Sequence, residues 1–127
     1  IDEESKYYKR KFRLINFLNN KKIYETIQIK ISKLKDYIEK NNIKKIDFLK
    51  IDTEGYEFEI LLGLENKIQL VDIVMFEHHY DSMIQKSYTF ADINELLTKN
   101  NFNKIYKSRM PFRKTFEYIY RREELIN

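Results

Sequence analysis

The chain of 127 residues has no cysteine and no tryptophan, and it contains one proline and two glycines. Without cysteine, the sequence excludes a disulfide framework and a thiolate metal site. Its apolar runs all fall short of the roughly 20 residues that a membrane-spanning helix needs, and its first residues show no signal-peptide pattern. These absences predict a single domain over residues 1–127 in a cytoplasmic protein without a membrane span.

An excess of one charge is also missing, because 24 basic and 20 acidic residues leave a formal net charge of +4. Nucleic-acid-binding domains usually concentrate positive charge on one face, so we expect no nucleic-acid partner. The exception is residues 6–22, which hold seven basic residues and no acidic residue. Two interpretations stay open for this segment: a patch for phosphate or another anionic surface, or the solvated side of an amphipathic segment.

The spacing of apolar residues predicts alternating strands and helices, the pattern of an α/β fold. Strict alternation over residues 25–31 predicts a half-exposed strand, and Thr89 with Asp92 is typical of a capping box that begins a helix. Predicted strands cover residues 25–31, 46–52, 71–77, 102–107 and 116–120. Predicted helices cover residues 2–20, a short stretch after Ser32, residues 56–64 and residues 89–100.

The chain is organised around residues 46–55, IDFLKIDTEG. A short apolar run that suits a strand buried on both faces ends in an acidic turn, and a helical pattern follows. This order predicts half of a β-α-β unit, and in open α/β sheets the functional site forms where strands end. Lys50 interrupts the apolar run, and a buried lysine needs a carboxylate partner. We expect that partner to be Glu77 or Glu54.

The segment KIDTEGYEFEILLG resembles the central signature of the FkbM-type family of S-adenosylmethionine-dependent methyltransferases, and the likeness extends over residues 27–65. The resemblance implies a partial Rossmann-like α/β fold, with a mixed, mostly parallel sheet of about five strands and flanking helices. It also implies S-adenosylmethionine as the cofactor and a small-molecule acceptor. The expected reaction is methyl transfer to a hydroxyl oxygen of a sugar or another small molecule.

The sequence departs from the family in its glycines. A methyltransferase of this class has a glycine-rich turn that lets the backbone approach the cofactor. Neither Gly55 nor Gly63 lies in such a turn, so the chain resembles the C-terminal part of the domain, without the cofactor-binding half. On its own it is expected to be inactive and to bind the cofactor weakly. The strand at residues 46–52 would then have an open edge, which predicts homo-oligomers through that edge.

Two acidic strand ends provide the candidate site residues. If the strands at residues 46–52 and 71–77 are parallel neighbours, their ends meet at one edge of the sheet. The family resemblance implies that Asp52 shapes the pocket near the sulfonium, together with Glu54 and Gly55 as cofactor-binding residues. Glu77 or His79 would remove the proton of an acceptor hydroxyl. We therefore expect Asp52, Glu77 and His79 to be catalytic, and we assign no metal ligand.

Two other functional classes stay open. One is a non-catalytic fragment or interaction domain that keeps the sheet but not the cofactor site. The other is a metal-dependent hydrolase, whose oxygen and nitrogen ligands would be Asp52, Glu77, His78, His79 and Asp81. Glu57 and Glu59 are expected to be solvated at the start of the helix, where the helix dipole favours acidic side chains.

Overall fold

The computed structural model describes residues 27–80 and 84–123. The helix predicted over residues 2–20 and the basic residues 6–22 lie outside the described residues. The helices and strands are α1 (Leu34–Lys40), β1 (Ile46–Ile51), α2 (Glu57–Leu62), a 3-10 helix (Glu65–Leu70), β2 (Val71–His79), α3 (Phe90–Lys99), β3 (Phe102–Arg109) and β4 (Thr115–Arg122).

The strands form one mixed sheet in the order β1-β2-β4-β3. β1 and β2 are parallel because the helices between them carry the chain back to the same end of the sheet. β4 is antiparallel to both β2 and β3. The α/β class is confirmed, but the expectation of a mostly parallel sheet is wrong for the described strands. β3 and β4 are joined by a short hairpin turn, which forces them to run in opposite directions.

The described sheet has four strands and not five, because the strand predicted over residues 25–31 does not form in its described part. Residues 27–31 have no regular secondary structure, and Ile27, Ile29 and Ile31 are 71%, 72% and 74% exposed. Alternating side chains suit a strand, yet a strand exists only when its backbone pairs with a neighbour. Within residues 27–80 and 84–123, these isoleucines have no such neighbour.

One hydrophobic core holds the sheet and the helices together. α3 begins with the predicted capping box, in which Thr89 and Asp92 each accept a hydrogen bond from the other's backbone N–H. Its residues Ile93 and Leu97 are buried in the same cluster as Phe76 of β2, Tyr118 and Tyr120 of β4, and side chains of the other helices. Within the described residues, no helix is long and apolar enough to cross a membrane.

β1 is buried on one face only, which corrects the expectation of a strand covered on both sides. Ile51 belongs to the core and Leu49 packs against it, whereas the alternate residue Phe48 is 51% exposed. The difference arises because the described helices all contribute to the core on one face of the sheet. Among the described strands, β1 also has a partner on one edge only, since it lies at the end of the strand order.

Candidate functional site

The register of the parallel pair brings the two acidic strand ends together. Ile51 pairs with Phe76, so Asp52 follows opposite Glu77 at the same edge of the sheet. β2 continues through His79, beyond the predicted end of the strand. Because side chains alternate along a strand, Glu77 and His79 share the face on which Asp52 lies. The three residues predicted to be catalytic are therefore neighbours at the carboxyl ends of β1 and β2.

Lys50 is not a buried lysine, and the expected pairing with Glu77 or Glu54 is wrong. Its Nζ atom lies 3.0 Å from Oδ2 of Asp52, and the two side chains are 51% and 44% exposed. The hydrogen bond and the charge of Asp52 raise the pKa of Lys50. Residues two apart on a strand point to the same side, and this side of β1 is open to solvent. The pair therefore places a cation beside Asp52.

His79 is held at both ring nitrogens. Its Nδ1 atom lies 3.0 Å from the hydroxyl oxygen of Thr115 on β4. Its Nε2 atom lies 3.4 Å from a carboxylate oxygen of Glu54 and 3.9 Å from one of Glu77. The imidazole is buried, with 4% of the residue exposed. These contacts fix the ring plane and direct Nε2 toward the acidic cluster.

Glu77 is a largely buried carboxyl group of this cluster. Burial raises its pKa, and the nearby charge of Asp52 raises it further. Its side chain keeps 15% of its surface exposed, so a proton can still reach it. A carboxylate whose pKa is shifted toward neutrality, at the end of a strand, is suited to general base chemistry.

The expectation that Glu57 is solvated at the start of the helix is wrong. Glu57 is 2% exposed and not solvated. One carboxylate oxygen accepts hydrogen bonds from the backbone N–H of Thr53 at 3.2 Å, from the Thr53 hydroxyl at 3.2 Å and from the backbone N–H of Gly55 at 3.1 Å. The other accepts a hydrogen bond from the hydroxyl of Tyr88. The buried carboxylate of Glu57 therefore stabilises the conformation of the acidic turn.

The protonation of Glu57 follows from these contacts. Burial alone would raise its pKa, but the hydrogen bonds from Tyr88 and from the turn outweigh burial and lower the pKa below the ordinary value. The sequence offers one signal for this role, which is a glutamate two positions after the glycine of a turn. That signal alone does not distinguish a buried carboxylate from a solvated one at a helix start.

Gly55 is required by the conformation of the turn. Its φ angle is +107°, a region that side chains rarely permit. A Cβ atom there would overlap Cγ2 of Ile84 and would lie 2.7 Å from the carbonyl oxygen of Gln85. The space that the missing side chain leaves is thus occupied by residues 84–85. Gly55 lets the turn pack against that segment.

His78 lies on the opposite face from His79, inside the core. Its ring contacts Tyr80, Tyr88 and Phe90 at centroid distances of 4.7, 5.9 and 5.8 Å. Burial, together with the charge of Lys86, lowers the pKa of His78 to about 4. Two histidines on opposite faces of a strand cannot bind one ion, and residue 81 lies outside the described residues. The described segments contain no group of three side chains placed to hold a metal ion.

The described residues match the expected cofactor in part. S-adenosylmethionine is positively charged at its sulfonium and amino groups, and the carboxylates of Asp52 and Glu54 provide the opposite charge. The backbone N–H groups of Thr53 and Gly55 are already bonded to Glu57, so they are not available to the anionic or hydroxyl groups of a ligand. A glycine turn for close approach of the adenosine does not occur in residues 27–80 and 84–123.

Comparison with known proteins identifies the family of this chain. Searches of the curated proteins and of the solved structures found no match. A family model described as the methyltransferase FkbM domain matches residues 3–104, the greater part of the chain. The match includes the acidic turn and the strand ends that carry Asp52, Glu77 and His79. The chain therefore belongs to the FkbM methyltransferase domain family.

Proposed function

We propose that this chain is the C-terminal part of a Rossmann-like, S-adenosylmethionine-dependent methyltransferase domain. The acceptor would be a hydroxyl group of a sugar or another small molecule. The observation that carries the proposal is the meeting of Asp52, Glu77 and His79 at the carboxyl ends of two parallel strands, in a chain that belongs to a methyltransferase family. Sites of open α/β folds form at this end of the sheet.

Asp52 and Glu54 are the residues we assign to the positively charged side of the cofactor. Asp52 follows β1 directly, and Glu54, two residues further on, has a positive φ angle of 54°, which turns the chain sharply after the strand. The bound cofactor would supply an electrophilic methyl group. Positioning and electrostatic complementarity give such a displacement most of its acceleration. The rigid turn held by Glu57 serves that positioning.

We assign proton removal to Glu77 and an orienting role to His79. The two carboxylate oxygens near Nε2 of His79 favour a proton on that nitrogen, which leaves Nδ1 to accept from Thr115. An imidazole protonated at Nε2 donates to the cluster and cannot act as its base. The bound cofactor would supply the methyl group for the acceptor oxygen, and Glu77 would take up the proton that the acceptor hydroxyl loses.

The cofactor-binding half would dock against the open side of β1. That edge has no partner among the described strands, and an unpaired apolar edge favours pairing with another strand. Beside α1 and α2, Leu34, Tyr37, Tyr56 and Leu62 line an apolar groove. The exposed isoleucines of residues 27–31 add apolar surface nearby in the sequence. This apolar surface supports an interface with more protein.

The alternative is an interaction domain that keeps the sheet but does not bind the cofactor. The observation that favours it is the closed turn, where Gly55 packs on residues 84–85 and the turn amides bond to Glu57. Calorimetry with S-adenosylmethionine separates the two functions. We expect the 127-residue chain to show no saturable binding and the full-length protein that carries it to bind one equivalent. Absence of binding by both proteins would favour the interaction domain.

The assignment of Glu77 is tested by its glutamine variant in the full-length protein. Glu77→Gln should lower the rate of methyl transfer by roughly 10²–10⁴-fold, the usual contribution of a general base. It should also remove the fall in rate at low pH, because protonation of this carboxyl would no longer occur. Glu117→Gln is the matched control, since Glu117 pairs with Glu77 across β2 and β4. Equal rates for both variants would contradict the assignment.

A further inference from the structure

The last residue of β3 and the turn that joins β3 to β4, residues 109–114 with the sequence RMPFRK, lie at the same end of the sheet as the acidic cluster. We call these residues the hairpin tip. β4 begins at Thr115, which pairs with His79 at the end of β2. The backbone N–H of Tyr80 donates to the carbonyl oxygen of Lys114 at 2.8 Å, and that of Met110 to the carbonyl oxygen of Thr115 at 3.0 Å. These bonds fix the hairpin tip beside the candidate site.

Phe112 stands at the apex of the hairpin tip and is fully exposed, at 106% of its reference surface. Its φ angle is 62°, in the left-handed region that an aromatic residue adopts only against a steric penalty. Its neighbour Pro111 is also exposed, and Met110 is half-buried. A single exposed apolar residue is ordinary on a protein surface. Here the exposed ring belongs to a residue with an unfavourable backbone conformation, and the ring lies in solvent.

Positive charge surrounds this ring. The hairpin tip contains Arg109, Arg113 and Lys114 and no acidic residue, and all three are exposed. Nε of Arg109 donates to the carbonyl oxygen of Arg113 at 3.3 Å, which ties the two sides of the turn together. Among the described residues, none of the three cations forms an ion pair with a carboxylate.

Along β4, the first acidic residue lies at a distance from this charge. Glu117 is the first acid along β4 and lies three residues beyond Lys114, which is roughly 10 Å along a strand. Exposed charges separated by about 8–10 Å are largely screened at physiological ionic strength. By its own residues, the hairpin tip therefore carries positive charge around an apolar apex.

We propose that the hairpin tip is a contact site for an anionic membrane surface. Phe112 would enter the boundary between headgroups and acyl chains, and the three cations would lie at the lipid phosphates. Apolar insertion together with attraction to anionic lipids is how peripheral segments bind membranes. Nucleic acid is less suited to this tip, since bases stack on a succession of rings and residues 109–114 contain one.

A consequence for the acceptor rests on the proposed function. Because Lys114 bonds to Tyr80 and His79 is adjacent in sequence, the membrane surface would lie next to the candidate site. The acceptor hydroxyl would then belong to a headgroup displayed at that surface. Vesicle binding does not require methyl transfer, so its measurement tests the membrane contact even if the chain transfers no methyl group.

The experiment is co-sedimentation of the 127-residue chain with vesicles of phosphatidylcholine alone or of phosphatidylcholine with phosphatidylglycerol. We expect binding to the anionic vesicles and much weaker binding to the neutral ones. Removing two cations in Arg113→Gln/Lys114→Gln should weaken binding roughly 25-fold, since each basic residue near the surface contributes about fivefold. Phe112→Asn should weaken it about tenfold. Its melting temperature should be unchanged or higher, because asparagine tolerates a positive φ angle.

Tyr37→Asn on α1 is the matched control, since Tyr37 is also an exposed aromatic, at 55%. It should bind the vesicles like the unmodified chain. A second readout uses the absence of tryptophan from the sequence. In Phe112→Trp, the only tryptophan should shift its emission to the blue when anionic vesicles are added, while that in Tyr37→Trp should not.

Three results would overturn the proposal. The first is equal binding of the chain to neutral and anionic vesicles, or no binding to either. The second is unchanged binding and unchanged tryptophan emission in the Phe112 variants. The third is tighter binding to polyuridylate than to anionic vesicles, with no loss in Phe112→Asn, because that pattern would indicate a polyanion site that does not use the aromatic ring.

Discussion

The buried pair of Glu57 and Tyr88 gives the sharpest prediction about stability. The Tyr88 hydroxyl donates to one carboxylate oxygen of Glu57, and 31 residues separate the two in sequence. Hydrogen bonds to charged groups contribute about 1.5–3 kcal/mol, and an unpaired buried partner adds a penalty. We therefore expect Tyr88→Phe to lower the free energy of unfolding by about 2 kcal/mol. For a domain of this size, that corresponds to a fall in melting temperature of roughly 8 °C or more.

The assay is urea unfolding followed by circular dichroism, combined with a double-mutant cycle. In Glu57→Gln, the amide keeps one oxygen for the turn but loses the charge and the second acceptor, so a loss of about 1–3 kcal/mol is expected. The double variant should lose about 1 kcal/mol less than the sum, because the bond can be removed only once. Tyr80→Phe is the control, as its hydroxyl pairs with that of Tyr118 at 2.7 Å and not with a carboxylate.

The pH dependence of stability gives an independent check on Glu57. Its pKa is lower in the folded chain than the ordinary 4.5, so its contribution is present above that pH and is lost as the pH falls through the folded pKa. Glu57→Gln should therefore show a weaker loss of stability below pH 4.5 than the unmodified chain. Additive losses in the cycle, within about 0.5 kcal/mol, together with identical acid profiles, would refute the role we give to Glu57.

Three further predictions concern the turn, the exposed ion pair and the open edge. Gly55→Ala should lose at least about 2 kcal/mol of stability in urea unfolding, because a side chain is strained at its φ angle. Gly63→Ala should lose less, because its φ angle is −67° and its Cβ atom would lie 3.3 Å from the carbonyl oxygen of Glu59, whereas the Cβ atom at Gly55 would overlap Ile84; equal losses would contradict this. Lys50→Met should lose less than about 1 kcal/mol, since its ion pair is exposed, and a loss of several kcal/mol would show that the lysine is effectively buried. The chain should associate at high concentration by light scattering, and Phe48→Lys on β1 should reduce this association. A monomeric unmodified chain, or equal association of the chain and the variant, would argue against pairing through that edge.

Local patterns predicted most of the regular structure. The strands at the centre of the fold and the capped helix α3 form where apolar spacing and capping residues placed them. The segment at residues 25–31 shows the limit of that reasoning. Alternation describes which side chains could share a face, but whether a partner strand is present depends on the rest of the protein. The exposed isoleucines of the described part have the pattern of a strand without its pairing.

The sequence predicted which strand ends meet, but it did not predict the contacts of their side chains. Asp52 and Glu77 could be placed together because parallel strands end at the same edge of the sheet. The partner of Lys50 depended on which face of β1 is covered, and that information is not local. Likewise, Thr115 orients His79 across 36 residues. A contact of that range arises from the order and register of strands, which periodicity does not encode.

The most direct test of the proposed function is the effect of Asp52→Asn on methyl transfer by the longer protein of which we propose this chain to be a part. We expect the rate with S-adenosylmethionine and a hydroxyl acceptor to fall by roughly 10²–10³-fold, as for loss of one preorganised charge. The melting temperature should stay within about 4 °C, because the contact with Lys50 is an exposed ion pair. Asp47→Asn is the control, since Asp47 is 81% exposed on the same strand. A fall in melting temperature of roughly 10 °C with unchanged activity per folded molecule would show that Asp52 is structural and would contradict the account.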